Sequence, residues 1–222
     1  MAALGTSVKA AEYDAWYDTD RGRWIGETEY RLLTELLTPQ CGDHVLDVGC
    51  GTGWFTRRIA GLAGVEVTGA DIDSEALTFA REHDTRSRYM EADACCLPFA
   101  NDSFRKVMSV TALCFIADWP QALSEIVRVT SDRFAVGVLN RHSLLWWKKG
   151  RNGGSGAYRG AHWHTHRELR KALADLPVCD LQIRTAVLLA SGSPLARQTE
   201  QCLSGRLPFG SFLVAAGRKF SQ

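Results

Sequence analysis

The groups that could do chemistry in this chain are a run of glycines and the carboxylates spaced around it. Val45-Leu46-Asp47-Val48 leads into Gly49-Cys50-Gly51-Thr52-Gly53, and further acids follow at Asp71, Asp73 and Asp93. Glycine lacks a Cβ, so a ligand can lie directly against the backbone of such a turn. A carboxylate at the end of a neighbouring strand can accept from both hydroxyls of a diol. Glycine turn and acid together describe a cradle for a nucleotide or nucleoside. The spacing excludes two common forms of it. A dinucleotide fingerprint is G-x-G-x-x-G, whereas here the third glycine comes one residue early and Trp54 holds the place that pattern gives to glycine. The Gly-Lys-Ser/Thr of a P-loop is absent.

These groups must be positioned by alternating strands and helices. The apolar run 45–48, broken only by Asp47, reads as a buried parallel strand, and 54–63 resumes with helical spacing. Residues 64–70 alternate as a second strand ending at Asp71. Asp73 is the competing acid, but Asp73 or Ser74 is placed to cap a helix over 75–82, which leaves Asp71 for the diol and Ile72 beside a flat ring. A weak third strand spans 88–90, a fourth 107–111 and a fifth 133–140. The helix between the last two covers 119–129, with Pro120 in its first turn. Upstream, 10–17 and 24–37 read as helices around a polar break at 18–22, the second with an apolar stripe of Ile25, Leu32, Leu33, Leu36 and Leu37.

At the glycine turn the sequence resembles motif I of the class I S-adenosylmethionine (SAM) methyltransferases, an acid in the strand followed by G-x-G-x-G. Leu97-Pro98-Phe99 and Asn101-Asp102-Ser103-Phe104 resemble the L-P-F-x-D-x-S-F-D link of the ubiquinone- and menaquinone-pathway (type 11) enzymes, with Arg105-Lys106 where an Asp is common. The resemblance covers 45–140. It implies a Rossmann-like α/β fold, doubly wound, with a mostly parallel seven-stranded sheet in a single domain. It implies SAM as cofactor, held by Asp47, Gly49, Cys50, Gly51, Thr52, Gly53, Asp71, Ile72, Asp93, Ala94 and Thr111. Tyr13-Asp14-Ala15-Trp16 is similar to an N-terminal sequence that closes over SAM in many relatives, so Tyr13 and Trp16 join the set, and 1–40 is either a lid or packing for the domain 41–222.

Beyond Asn140 the chain is individual. Residues 142–149 read as a short aromatic helix and 150–160 as a glycine-rich loop. His162-Trp163-His164-Thr165-His166 could suggest a metal, but no acid or cysteine has ligand spacing, and Thr165 with Glu168 forms a capping box that draws His166 into a helix over 166–176. No metal is expected. Strands at 179–190 and 211–217, joined by a loop with a short helix near 197–203, complete the sheet, and substrate-facing elements fall in 141–210. Methyl transfer from a sulfonium asks mainly for alignment and exclusion of water. If the acceptor must lose a proton, His162, His164 and Tyr158 are the candidate bases, with no single one preferred.

Composition narrows the partners. With 222 residues, 45% hydrophobic, 23% charged and a formal net charge of +1, nothing points to nucleic acid. No long apolar run marks a membrane span or signal peptide, and seven scattered cysteines without a C-x-x-C pair suit a reducing, cytoplasmic setting. The expected function is methyl transfer from SAM to a small molecule, with SAM binding without turnover as the alternative and an NAD-dependent oxidoreductase a more distant one.

Overall fold

The computed structural model describes residues 10–203, 205 and 207–220, so the first nine residues of the segment 1–40 lie outside the described residues. Seven strands form one sheet: β1 His44–Val48, β2 Glu66–Asp71, β3 Arg88–Glu91, β4 Phe104–Val110, β5 Thr130–Leu139, β6 Val178–Ala186 and β7 Phe212–Lys219. Their order is β3-β2-β1-β4-β5-β7-β6. The first five are parallel, and β7 runs antiparallel between β5 and β6. Because β1 has β2 on one side and β4 on the other, the chain winds both ways from it and leaves a crevice at its carboxyl end. The doubly wound α/β architecture expected from the sequence is the one found.

Among the described residues seven α-helices flank the sheet: α1 Ala10–Trp16, α2 Asp20–Leu37, α3 Trp54–Ile59, α4 Ser74–His83, α5 Trp119–Val129, α6 His166–Leu173 and α7 Pro194–Leu203. One core lies on the side of α5 and α6, around Leu123, Ile126, Phe134 and Leu169. The other lies under α2 and α3, around Leu33, Leu37, Ile59 and Phe212. The stripe on α2 is therefore core, not cover, and α1 adds Trp16 to its edge. The break before α2 is shorter than the sequence suggests. Thr19 caps the helix by accepting from the Gly22 amide at 3.0 Å, which brings Asp20–Gly22 into it.

Other boundaries shift for local reasons. β4 starts at Phe104, three residues before the apolar run, because its two charged residues are paired: Lys106 with Asp132 at 2.7 Å and Arg105 with Asp43 at 3.1 Å. β5 starts at Thr130, the C-cap of α5, with no loop between. α3 stops at Ile59 and α6 at Leu173, both short of the expected ends. The aromatic segment after β5 makes only a single wide turn over Trp146–Gly150.

The link between β3 and β4 is tied to α5 by one ion pair. Glu125 Oε2 accepts from the Leu97 amide at 2.8 Å, and Arg128 donates to the Leu97 and Phe99 carbonyls at 3.0 and 2.8 Å. The two side chains bridge each other at 2.6 Å. Pairing with Arg128 holds the Glu125 carboxyl below its ordinary value. The stabilisation it contributes is present at neutral pH and is lost as pH falls through that depressed value. Glu125→Ala should cost about 1.5–3 kcal/mol at pH 7, and in thermal melts parent and variant should converge only once pH falls below that depressed value. Equal melting at pH 7 would contradict the clamp.

Candidate functional site

The site is built on strand register. Val48 of β1 pairs with Ala70 of β2, so the glycine turn and Asp71 leave the sheet side by side. The Ala70 carbonyl accepts from the amides of Gly49 and Cys50 at 2.7 and 3.1 Å, pinning the start of the turn. The Gly51 amide then donates to Asp71 Oδ2 at 2.7 Å, while Asp71 Oδ1 accepts from the Asp73 amide at 2.9 Å. Gly51 has φ +54°, and a Cβ built there meets nothing within 4 Å. Gly49 and Gly53, by contrast, are closed in by Ala112 and Tyr89. The middle of the turn thus presents bare backbone to open space, which is what a ligand lying on it requires.

Around that opening the expected residues fall into distinct roles. Ile72 is 68% exposed, an apolar side chain beside Asp71 with nothing to cover it. Asp73 caps α4, its Oδ1 accepting from the amides of Glu75 and Ala76 at 3.0 and 3.2 Å. Asp93 is exposed and accepts from the Cys95 amide at 2.8 Å, and Ala94 is buried. Thr111 follows β4 at φ +59°, its amide donating to the Gly137 carbonyl at 2.7 Å. Asp47 lies beneath the turn. It is buried, accepts from Thr56 Oγ1 at 2.7 Å, and is pushed up to about 7 by burial. Burial likewise raises the Cys50 thiol well above its ordinary value.

α1 reaches the turn through a group the sequence reading passed over. Asp14 Oδ1 accepts from Thr52 Oγ1 at 2.8 Å and from Arg57 Nη2 at 2.7 Å, and Arg57 also donates to the Thr52 carbonyl at 2.6 Å. Tyr17 stacks on Trp54 with ring centroids 4.2 Å apart. Tyr13 is exposed and Trp16 half-buried, while Tyr17, next to that motif, is the buried anchor. The signal for Asp14 was its place in Tyr13-Asp14-Ala15-Trp16; the partner, Arg57, has no local signature.

The candidate bases differ in exposure, although the His162 and His164 rings meet edge to face with centroids 4.5 Å apart. His164 is completely buried, neither ring nitrogen has a hydrogen-bond partner among the described residues, and burial with His162 alongside lowers it to about 4. Its imidazole is thus neutral and enclosed. His162 is exposed, stacks on Trp119 at 5.9 Å and lies 3.8 Å from Glu168 Oε1. Its amide is held by the Cys114 carbonyl at 2.7 Å. Tyr158 is half-buried, 5.5 Å from the Trp163 ring. The capping box of Thr165 and Glu168 is formed. Among the described residues no group of three or more His, Cys, Asp or Glu could hold a metal ion, and no helix is long and apolar enough to cross a membrane.

Residues 46–133 match the family described as methyltransferase domain. With the fold and the glycine turn, this is the domain of a class I SAM-dependent methyltransferase, the family whose cofactor is SAM. Malonyl-[acyl-carrier protein] O-methyltransferase of Erwinia pyrifoliae is 36% identical over 158 residues, 68% of this chain and 57% of the relative. The chain thus spans little more than half the length of that relative. A SAM-dependent methyltransferase of Thermotoga maritima, described as a possible histamine N-methyltransferase, shares the fold with a TM-score of 0.76 and 21% identity, over 95% of this chain and 96% of that one. Phosphoethanolamine N-methyltransferase 2 of Haemonchus contortus, solved with phosphomonomethylethanolamine and S-adenosylhomocysteine, has a TM-score of 0.70 and 17% identity, covering 97% of this chain and 58% of that one.

Two substitutions test the acids. Asp71→Ala should weaken SAM binding by about 2–4 kcal/mol, on the order of 30- to 1,000-fold, while Asp73→Ala should cost about 1 kcal/mol of stability and leave affinity nearly unchanged. Calorimetric titration and thermal melting of both variants decide this, and the opposite pattern would move the diol site to Asp73. Asp14→Ala should leave the domain folded but remove the protection that SAM gives α1 against proteolysis. Unchanged protection would make α1 packing alone.

Proposed function

We propose that this chain transfers the methyl group of SAM to a small-molecule acceptor. The carrying observation is the Gly51–Asp71 contact beside open space over the turn: a carboxylate and a bare backbone facing one crevice. In this reading Asp71 accepts from the ribose hydroxyls, using lone pairs not taken by the Gly51 and Asp73 amides. Ile72 lies against the adenine, and Asp93 and Ala94 meet its polar edge. Gly49, Cys50, Gly51, Thr52 and Gly53 hold the amino-acid part, with Asp47 supporting them from below. Thr111 borders the methyl group, and Tyr13 and Trp16 on α1 cover the bound ligand as a lid. The cofactor supplies an activated methyl; the protein's part is to hold nucleophile, carbon and sulfur in line and to keep water out.

The acceptor side is assigned to 141–210. Asn140 donates to the carbonyls of Pro208 and Gly210 at 2.9 and 2.8 Å, joining the segment after β5 to the loop before β7. A cavity of about 630 Å³ lies there, lined by Arg141, Leu144, Trp146, Trp147 and Phe209, a size that suits a small organic molecule. The setting is cytoplasmic in this reading, with no nucleic-acid or membrane partner. Calorimetry with SAM, S-adenosylhomocysteine and NAD tests the cofactor half. Binding of the first two with no comparable affinity for NAD is expected, and a preference for NAD would overturn the reading.

A further inference from the structure

The near-zero net charge of the chain hides a division. Residues 141–171 carry eight Lys or Arg against the single acid Glu168, while the whole chain is only +1, so the remainder is net acidic. Part of that acidity, Asp14, Asp47, Asp71 and Asp73, is gathered at the glycine turn. Glu168 is already occupied, its Oε2 accepting from the Thr165 amide and Oγ1 at 2.7 and 2.9 Å. Arg141, Lys148, Lys149 and Arg151 are exposed, and among the described residues none of them pairs with a carboxylate. The two guanidinium groups lie over rings instead: Arg141 is 5.7 Å from the centre of Trp146, and Arg151 is 5.0 Å from that of Trp147.

These cations surround an apolar hollow, the cavity of about 630 Å³ already given to the acceptor. Trp146 and Trp147 meet edge to face in its wall, with centroids 5.7 Å apart. Leu144, Trp147 and Phe209 are each more than half exposed around it. Large apolar side chains left in water about one concavity mark a binding surface. Arg141 is the one lining residue with a permanent charge. The cavity also lies on the reacting side of the sheet. β1, β4 and β5 are parallel neighbours, so the segment after β5 leaves the sheet at the same edge as the glycine turn. Two strand spacings, about 10 Å, separate their starting points. The crevice thus runs from carboxylates at one end to unpaired cations at the other.

We propose that this cavity binds an acceptor with a flat apolar body and one anionic group, a carboxylate or a phosphate, received by Arg141 while Trp146 and Trp147 hold the body. This rests on the methyl-transfer reading above. A guanidinium offers either anion a pair of parallel N–H donors, and it is weakly hydrated enough to work beside aromatic rings. Lys148, Lys149 and Arg151 near the mouth draw anions toward the cavity and repel an ammonium acceptor. A sulfonium at the acidic end and an anion at the basic end are held by the same field, which orients the two reactants toward each other.

The test uses the intact protein saturated with S-adenosylhomocysteine, titrated calorimetrically at low salt with 2-naphthoate, 2-naphthyl phosphate and the neutral 2-naphthalenemethanol. At least one anion should bind about tenfold or more tightly than the alcohol, and the better of the two tells a carboxylate site from a phosphate site. In Arg141→Gln that preference should fall below about threefold, with the affinities for the alcohol and for S-adenosylhomocysteine unchanged within about twofold. Trp147→Ala should weaken anion and alcohol alike, by about fivefold. No anion preference in the parent overturns the proposal, as does a preference that survives Arg141→Gln or an anion affinity indifferent to Trp147→Ala. Binding to phosphatidylglycerol vesicles with no preference among the soluble probes would make the patch a lipid surface and overturns it too. Should Arg141→Gln fail to fold, the parent decides: its anion preference must fall at least about threefold on raising salt to about 0.5 M, and a preference insensitive to salt overturns the proposal. Failure of the parent to bind S-adenosylhomocysteine at all would instead sink the methyl-transfer reading.

Discussion

The site depends on a single contact, the Gly51 amide donating to Asp71 Oδ2 at 2.7 Å. It forms only because β1 and β2 pair in a register that ends with Val48 beside Ala70. A slip of one residue would turn every side chain of β2 to its other face and carry the carboxylate out of the crevice. Register in turn is enforced by burial, since β1 and β2 are covered on both sides of the sheet. A hydrogen bond to an ionised acceptor contributes roughly 1.5–3 kcal/mol, little compared with the apolar burial that sets the register. The core thus fixes the acid, and the acid orders the turn.

The negative charge gathered there needs explanation, because Asp14, Asp47 and Asp71 stand close together and Asp73 is two residues on. Each is handled differently. Asp14 is paired with Arg57, Asp73 is spent on the first turn of α4, and Asp47 is pushed up to about 7 by burial. Asp71 is held by two backbone amides, yet burial still raises it above its ordinary value. A ligand bringing hydroxyl donors or positive charge relieves this arrangement, and an anionic ligand would worsen it. Those electrostatics agree with a nucleoside carrying a sulfonium and oppose a pyrophosphate.

Most of this was legible in the sequence where the signal is local. The glycine turn, the acid at the end of β2, the cap by Asp73 and the box of Thr165 with Glu168 each depend on residues within a few positions of one another. Contacts between distant segments were not legible. Asp14 meets Arg57 across 43 positions, and Tyr17 finds Trp54 only after α1 has folded back over the turn. Alternating histidines suggested a shared face, and the His162 and His164 rings do meet, both against Trp119, but the bridge with Asn140 that buries His164 while His162 stays exposed had no local signal.

The most direct measurement is amide hydrogen exchange with and without S-adenosylhomocysteine. The account predicts slowed exchange at 49–53, at 71–73, at 93–95 and along α1, with the far ends of the strands unaffected. Protection confined to the cavity lined by Trp146, Trp147 and Phe209, or no protection at the glycine turn, would contradict it.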